Sequence, residues 1–128
     1  MFTLPLVLGT ALALAISTSL TLDLTVHECA TVERDGSLTV RGTVTCSESM
    51  VVDIEGLVAQ EVNRSHVSEG TFSLTDVSCG ATPTSFFATV YPDGLKFRPG
   101  LASFGASAIG VGVRVESTGF LEVTRSGR

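Results

Sequence analysis

A chain of 128 residues makes one domain at most, and its eight Lys and Arg against thirteen Asp and Glu leave a net charge of -5. No two basic residues are adjacent, which argues against a nucleic-acid partner, because phosphate neutralisation needs clustered cations. Gly, Ser, Thr and Val are plentiful and no long Ala/Leu/Glu/Lys stretch follows Ile16, so the composition favours strands over helices.

Leu4 to Ile16 is almost wholly apolar and carries the small-x-small triplets Ala11-Leu12-Ala13 and Ala13-Leu14-Ala15, the kind of site a signal peptidase accepts. The run is shorter than the roughly 20 residues of a membrane span. Residues 1–19 therefore read as a signal peptide or N-terminal hydrophobic segment, and residues 20–125 as the folded domain. No Lys or Arg precedes the apolar run. Two readings follow: a basic region belongs upstream of this start, or the segment stays uncleaved and is the chain's one membrane contact. A buried first helix is a third reading, but nothing downstream is amphipathic enough to pair with it.

Leu20, Leu22, Leu24 and Val26 alternate with polar residues and form the first strand. Cys29 shares the parity of the polar set and faces away from the core unless a bulge intervenes. The turn dipeptide Asp35-Gly36 leads into Ser37 to Cys46, whose alternation is unbroken: Leu38, Val40, Gly42, Val44 and Cys46 on one face. Met50 to Val62 is a long extended run with Val52, Ile54, Gly56 and Val58 inward. Glu61 to Gly70 is the most polar stretch and is expected to be a loop or hairpin tip. Thr71 to Leu74 reads as a short strand, and Asp76 to Pro83 as turn-rich.

Ser85 to Tyr91 places Phe86, Ala88 and Val90 on one face and Phe87, Thr89 and Tyr91 on the other. Pro92-Asp93-Gly94 is a turn and Phe97-Arg98-Pro99-Gly100 a corner. Ala102, Phe104, Ala106 and Ala108 share a register; Val111, Val113 and Val115 are expected to continue as a strand, with a hairpin at Gly119 leading into Phe120 to Thr124. The sum is an all-β domain of seven or eight strands, best read as an immunoglobulin-like Greek-key sandwich. It lacks the tryptophan and the tyrosine position of a true immunoglobulin domain.

Export makes the three cysteines disulfide candidates. Parity favours Cys46–Cys79, which ends two neighbouring segments and leaves Cys29 over. Cys29 is then a free thiol or the link of a disulfide-bonded dimer.

Catalytic and cofactor chemistry finds little footing. His27 and His66, the only histidines, are too scattered for zinc, and Gly42 stands where a calcium loop at Asp35-Gly36 would need its bidentate Glu. Ser65, His66 and Asp76 can be drawn as a hydrolase triad, but no Gly-x-Ser-x-Gly elbow is present. Asp53 and Glu55 fit a charged outer strand face better than a glycosidase pair. Asn63-Arg64-Ser65 matches a glycosylation sequon. With no Trp and one Tyr, a stacking platform for sugars is unsupported.

The motifs DGSLTVRGTVTCS from Asp35 to Ser47, Met50 to Gln60, Cys79-Gly80 and Phe97-Arg98-Pro99-Gly100-Leu101-Ala102 occur in that order. In this the chain resembles an uncharacterised family of secreted actinobacterial domains. There a DG turn opens a T-L-S-G-x-x-x-C strand. A valine-rich strand ending in glutamine, a second cysteine and an F-x-P-G-x-A corner follow. The likeness covers about residues 20–125. It departs where the family often has Trp after the second cysteine and this chain has Phe86 or Phe87, and Cys29 is extra. The resemblance implies a secreted β-sandwich with one disulfide and no assigned activity or site residues.

The functional expectation is a secreted, non-enzymatic module without a cofactor, contacting an extracellular protein or a cell-envelope component. The second reading is a small-ligand or enzyme-inhibitor module using residues 61–70 and 92–100 as its contact edge, with His66, Tyr91 and Phe97 exposed there. A hydrolase ranks last. A pocket lined by Phe87, Tyr91 and Phe97 would favour the second reading; a filled core with flat polar faces would favour the first.

Overall fold

The computed structural model describes residues 20–126. The expected signal segment, residues 1–19, lies outside them, as do Gly127 and Arg128. The described chain is all-β: β1 (Leu22–Val26), β2 (Cys29–Val32), β3 (Leu38–Cys46), β4 (Met50–Asn63), β5 (His66–Cys79), β6 (Thr84–Val90), β7 (Gly100–Gly110) and β8 (Val113–Arg125). Among the described residues no helix is long and apolar enough to cross a membrane.

The two-residue rhythm positions these strands. In β1, β3 and β6 the inward residues named from the alternation are buried, except that Leu20 precedes β1 and is exposed, and Cys29 faces out. Gly42 and Val44 of β3 pair with β1 on one edge and with β6 on the other. At the start of β3, Leu38 and Thr39 pair with β2 and again with β6, so β1 and β2 lie along the same edge. Between them the register slips at His27 and Glu28, and β2 gains a second neighbour, pairing in parallel with β8 from Cys29↔Glu122 to Val32↔Arg125. The rest is antiparallel: β8 with β7, β7 with β4, β4 with β5.

The result is one continuous mixed sheet that folds over a single core into a β-sandwich, with β1, β3 and β6 in one layer and β8, β7, β4 and β5 in the other. Leu38, Val44, Ile54, Val58, Val90 and Leu121 are fully buried between the layers. The expected disulfide forms: Cys46 and Cys79 join β3 to β5, with 5.5 Å between Cα atoms.

Three phenylalanines pack over glycines directly opposite them on the neighbouring strand. The pairs are Phe86 over Gly42, Phe72 over Gly56 and Phe104 over Gly119. The Phe86 and Phe72 rings occupy the space that a Cβ on the facing residue would need, and the Phe104 ring would crowd one at Gly119. The glycine offers no side chain of its own to bury, and the ring supplies the missing apolar cover.

Three expectations need correction. Of the two forms expected for Glu61 to Gly70, loop or hairpin tip, the hairpin tip is found, turning only at Arg64 and Ser65, but β5 is a fourteen-residue strand rather than the short Thr71 to Leu74 segment. Its inward residues Ser68 and Gly70 are small or polar, which hides the alternation. Asp76 to Cys79, expected to be turn-rich, also belongs to β5. There a bulge sets Thr75 and Asp76 against Asp53 alone, with Asp76 at φ 58° and its amide donating to Asp53 Oδ1 at 3.1 Å. The bulge switches the inward set from even to odd numbers and so turns Cys79 toward the core. Finally, the last hairpin turns at Val111-Gly112, not at Gly119. Gly112 takes the positive φ of 71° that this turn requires, while Gly119 lies within β8 beneath Phe104.

Candidate functional site

The structure draws three separated motifs together at one end of the sandwich. The first is the β2–β3 turn. Gly36 adopts φ 88°, and Asp35 Oδ1 accepts hydrogen bonds from the Ser37 amide at 2.9 Å and the Ser37 hydroxyl at 2.6 Å. Those donors hold the Asp35 carboxyl below its ordinary pKa of 3.8, the hydroxyl first, with a smaller contribution from the nearby Lys96 charge. The Lys96 stem lies across Gly36, where a Cβ would collide with it. The Gly36 carbonyl accepts from the Phe97 amide at 3.1 Å, which fastens this turn to the 92–100 segment.

The second motif is the end of the valine-rich strand. Gln60 continues the inward set of β4 and is buried. Its Oε1 accepts from the Arg98 amide at 2.8 Å, and its Nε2 donates to the Arg98 carbonyl at 2.7 Å. Arg98 Nη1 donates to the Val62 carbonyl at 3.0 Å. The third motif, the Phe97-to-Gly100 corner, is thus held on the end of β4 by a side chain acting as a strand partner. Gly100 completes the corner at φ 135°.

Further bonds fix the loop before that corner. The buried Ser68 hydroxyl donates to the Leu95 carbonyl, the Asp93 amide donates to the Glu69 carbonyl at 2.8 Å, and the Glu69 amide donates back to Asp93 Oδ1 at 3.1 Å. Ser37, Gln60 and Ser68 are the buried polar residues of the described chain, and all three serve this end. No buried side-chain polar atom among the described residues lacks a partner.

The bonded segments enclose a cleft of about 510 Å³. Val32, Val62 and Phe97 form its apolar floor, with Leu95 and Pro99 above them. Arg34, Lys96, Arg98 and Arg125 stand around it, all exposed, and Glu33 is the carboxylate on its wall. The Cys46–Cys79 bridge lies at the far end of β3, away from the cleft.

The residues expected at the contact edge separate. Phe97 is 3% exposed and supports the corner from beneath, so it offers no outward face. Tyr91 is exposed beside a shallow depression next to Asp35, Ser37 and Thr89. Phe87 is exposed on the outer face of β6 opposite Arg41, and these three aromatic residues line no common pocket. His66 sits at the tip of the β4–β5 hairpin, where its Nδ1 meets Asn63 Oδ1 at 3.0 Å and Ser65 Oγ at 3.2 Å. Both partners share one ring nitrogen, and the Asn63 amide stands where a triad would need a carboxylate. Asp76 is ten residues away along β5, about 33 Å at strand rise, and is occupied at the bulge. The sequon asparagine, Asn63, is exposed at the same tip and accepts from the Ser65 amide at 3.0 Å. Cys29 is an exposed free thiol. Among the described residues, no three His, Cys, Asp or Glu side chains gather as metal ligands would.

Sequence reasoning placed Gln60 and Arg98 in motifs without a role, and it missed Ser68. Gln60 was detectable, because an amide in the inward register of an apolar strand needs buried partners. Ser68 was hidden by reading its polar segment as an exposed loop or hairpin tip. No known protein-family model matches this chain, and no curated protein matches it either.

Proposed function

We propose that this protein is an exported, non-enzymatic β-sandwich of immunoglobulin-like Greek-key type that works by contact at its cleft end. In this reading it is a cell-envelope accessory or extracellular binding module. The topology is supported by β2 running parallel to β8 and by the division of the remaining strands between two layers. Export is supported by the apolar N-terminal run and by the buried cystine, a bond that persists in oxidising compartments. The resemblance to the secreted actinobacterial domains points the same way.

One observation carries the contact function. The buried polar side chains of the described residues are all committed to holding the loops of one end, and no catalytic requirement accounts for them. A surface loop tied down this thoroughly loses little conformational entropy when a partner arrives. The small-ligand reading stands second. The cleft volume falls in the range of ligand pockets, about 300–1,000 Å³, but exposed charged side chains rather than apolar walls surround it.

The test expresses the whole chain in its source organism and fractionates the culture. The expected result is protein outside the cytoplasm with a mass reduced by the removed segment, retained saturably on isolated cell envelope or by an extracellular protein fraction. Gln60→Ala, which unties the corner, should reduce that retention. Full-length protein confined to the cytoplasm overturns export; retention unaffected by Gln60→Ala overturns the cleft end as the contact surface.

A further inference from the structure

We propose that the cleft binds a short, extended acidic segment of a partner protein, with carboxylates on alternate residues. This rests on the contact function above and names the chemistry of the partner.

The charge distribution points there first. Arg34, Lys96, Arg98 and Arg125 are four of the chain's eight basic residues, and Glu33 is the one carboxylate lining the same cleft. The rest of the sequence therefore holds four cations against twelve carboxylates. A protein with a net charge of -5 has concentrated its positive charge in one concavity. Such a focus attracts anions, and the acidic surroundings repel a long polyanion that would extend past the rim.

None of these four cations forms a salt bridge among the described residues, although Asp35 lies near enough to Lys96 to feel its charge. Among the described residues the only salt bridge is Arg114–Glu116, elsewhere on β8. Glu33 Oε2 accepts from Thr39 Oγ1 at 3.0 Å and Thr31 Oγ1 at 3.3 Å, and Asp35 Oδ1 is occupied by Ser37. Arg98 is fixed through Nη1 to a backbone carbonyl, which orients the guanidinium without cancelling its charge.

The shape selects an extended chain. Lys96 and Arg98 are both exposed, stand two residues apart on either side of buried Phe97, and both line the cleft. Alternate residues of an extended peptide stand about 7 Å apart on one side, so such a peptide can turn two carboxylates toward this group of cations together. The side chains between those carboxylates point the other way and vary freely, while one apolar end group can settle on Leu95 and Pro99 above the Val32, Val62 and Phe97 floor. The loops are already fastened, so ordering falls mainly on the peptide.

Fluorescence anisotropy of the whole protein with a labelled peptide alternating Glu and Leu tests this. The expected result is saturable binding that weakens several-fold as salt rises from about 20 to about 200 mM. Arg34→Glu combined with Lys96→Glu should weaken binding more than about ten-fold, and Arg34→Gln with Lys96→Gln by an intermediate factor, with both melting temperatures near that of the parent. Saturation absent up to about 1 mM peptide overturns the proposal. So does equal binding of a Lys/Leu peptide, or unchanged affinity in the charge-reversed variant. Dextran sulfate binding as tightly as the peptide would assign the cations to a polyanion and overturn it as well. Envelope retention that persists without peptide binding removes the acidic ligand alone and leaves the contact function standing.

Discussion

Gln60 pairs with Arg98 as one strand pairs with another. Its amide oxygen takes the Arg98 N–H at 2.8 Å and its amide nitrogen gives to the Arg98 carbonyl at 2.7 Å. Gln60→Leu keeps the volume and removes both bonds, leaving a donor and an acceptor of the corner without partners. The expected loss is about 2–4 kcal/mol, two unsatisfied groups at the usual cost of each. Hydrogen exchange of the Arg98 amide should accelerate far more than that of Val58, a central residue of β4. An Arg98 amide as protected in the variant as in the parent would show that the loop is held by something else.

The ring-over-glycine pairs predict a graded response to the smallest substitution. At Gly56 a methyl group would meet the Phe72 ring; at Gly42 it would meet both the Phe86 ring and the Thr25 backbone carbonyl, which cannot rotate away. Gly56→Ala is expected to cost about 1–3 kcal/mol, and Gly42→Ala more. Gly105→Ala is the control: its nearest neighbour is Thr118 Cγ2 at 3.8 Å, ordinary contact, and the change should stay within about 0.5 kcal/mol. Urea unfolding of the three variants gives the order directly, and equal destabilisation by all three would refute it.

Cys46 and Cys79 are 33 residues apart in sequence and close a large loop in the unfolded chain. Loop-closure entropy puts the stabilisation near 3–4 kcal/mol. For a domain of this size that corresponds to a melting temperature about 15 °C lower after reduction. Calorimetry with alkylation-verified reduction measures it, and an unmoved melt would mean the bond contributes nothing.

Asp35 supplies a pH dependence with a definite sign. Its carboxyl is held below the ordinary value of 3.8 by the Ser37 hydroxyl and amide. A depressed carboxyl contributes stability that is fully present above its unfolded pKa and disappears as pH falls through the folded one. The melting difference between parent and Asp35→Asn should stay constant above about pH 5 and shrink below about pH 4. A difference that instead widens on acidification would contradict this role for Ser37.

Much of the fold was legible because apolar residues recur with period two in β1, β3 and β6, whose outer faces are polar apart from Phe87. Legibility failed where the inward set lost its apolar character. Ser68 and Gly70 are inward yet read as loop or hairpin tip, and Gly119 reads as a turn because the ring that covers it, Phe104, is fifteen positions earlier in the chain. The bulge at Thr75-Asp76 leaves no periodic trace, yet it decides which way Cys79 points. At the candidate site the motifs were visible singly: the DG turn, the glutamine and the F-R-P-G corner. Their convergence was not, since only strand pairing brings residues 36, 60 and 98 together. The cation cluster was hidden for the same reason, its members coming from the β2–β3 turn, the 92–100 segment and the end of β8.

The parallel pairing of β2 with β8 bears on how the molecule meets tension. β2, the second strand of the folded chain, and β8, the last, lie side by side, pointing the same way, from Cys29↔Glu122 to Val32↔Arg125, with β1 ahead of them paired to β3. Once β1 has come away from β3, a pull on the two termini drags β2 and β8 past one another, so their bonds must yield together rather than peel one by one. A tether clamped between an envelope and whatever the cleft holds would load other bonds; end-to-end stretching of single molecules should find this clasp as the main barrier, and weakening it by Ala30→Pro should lower the rupture force.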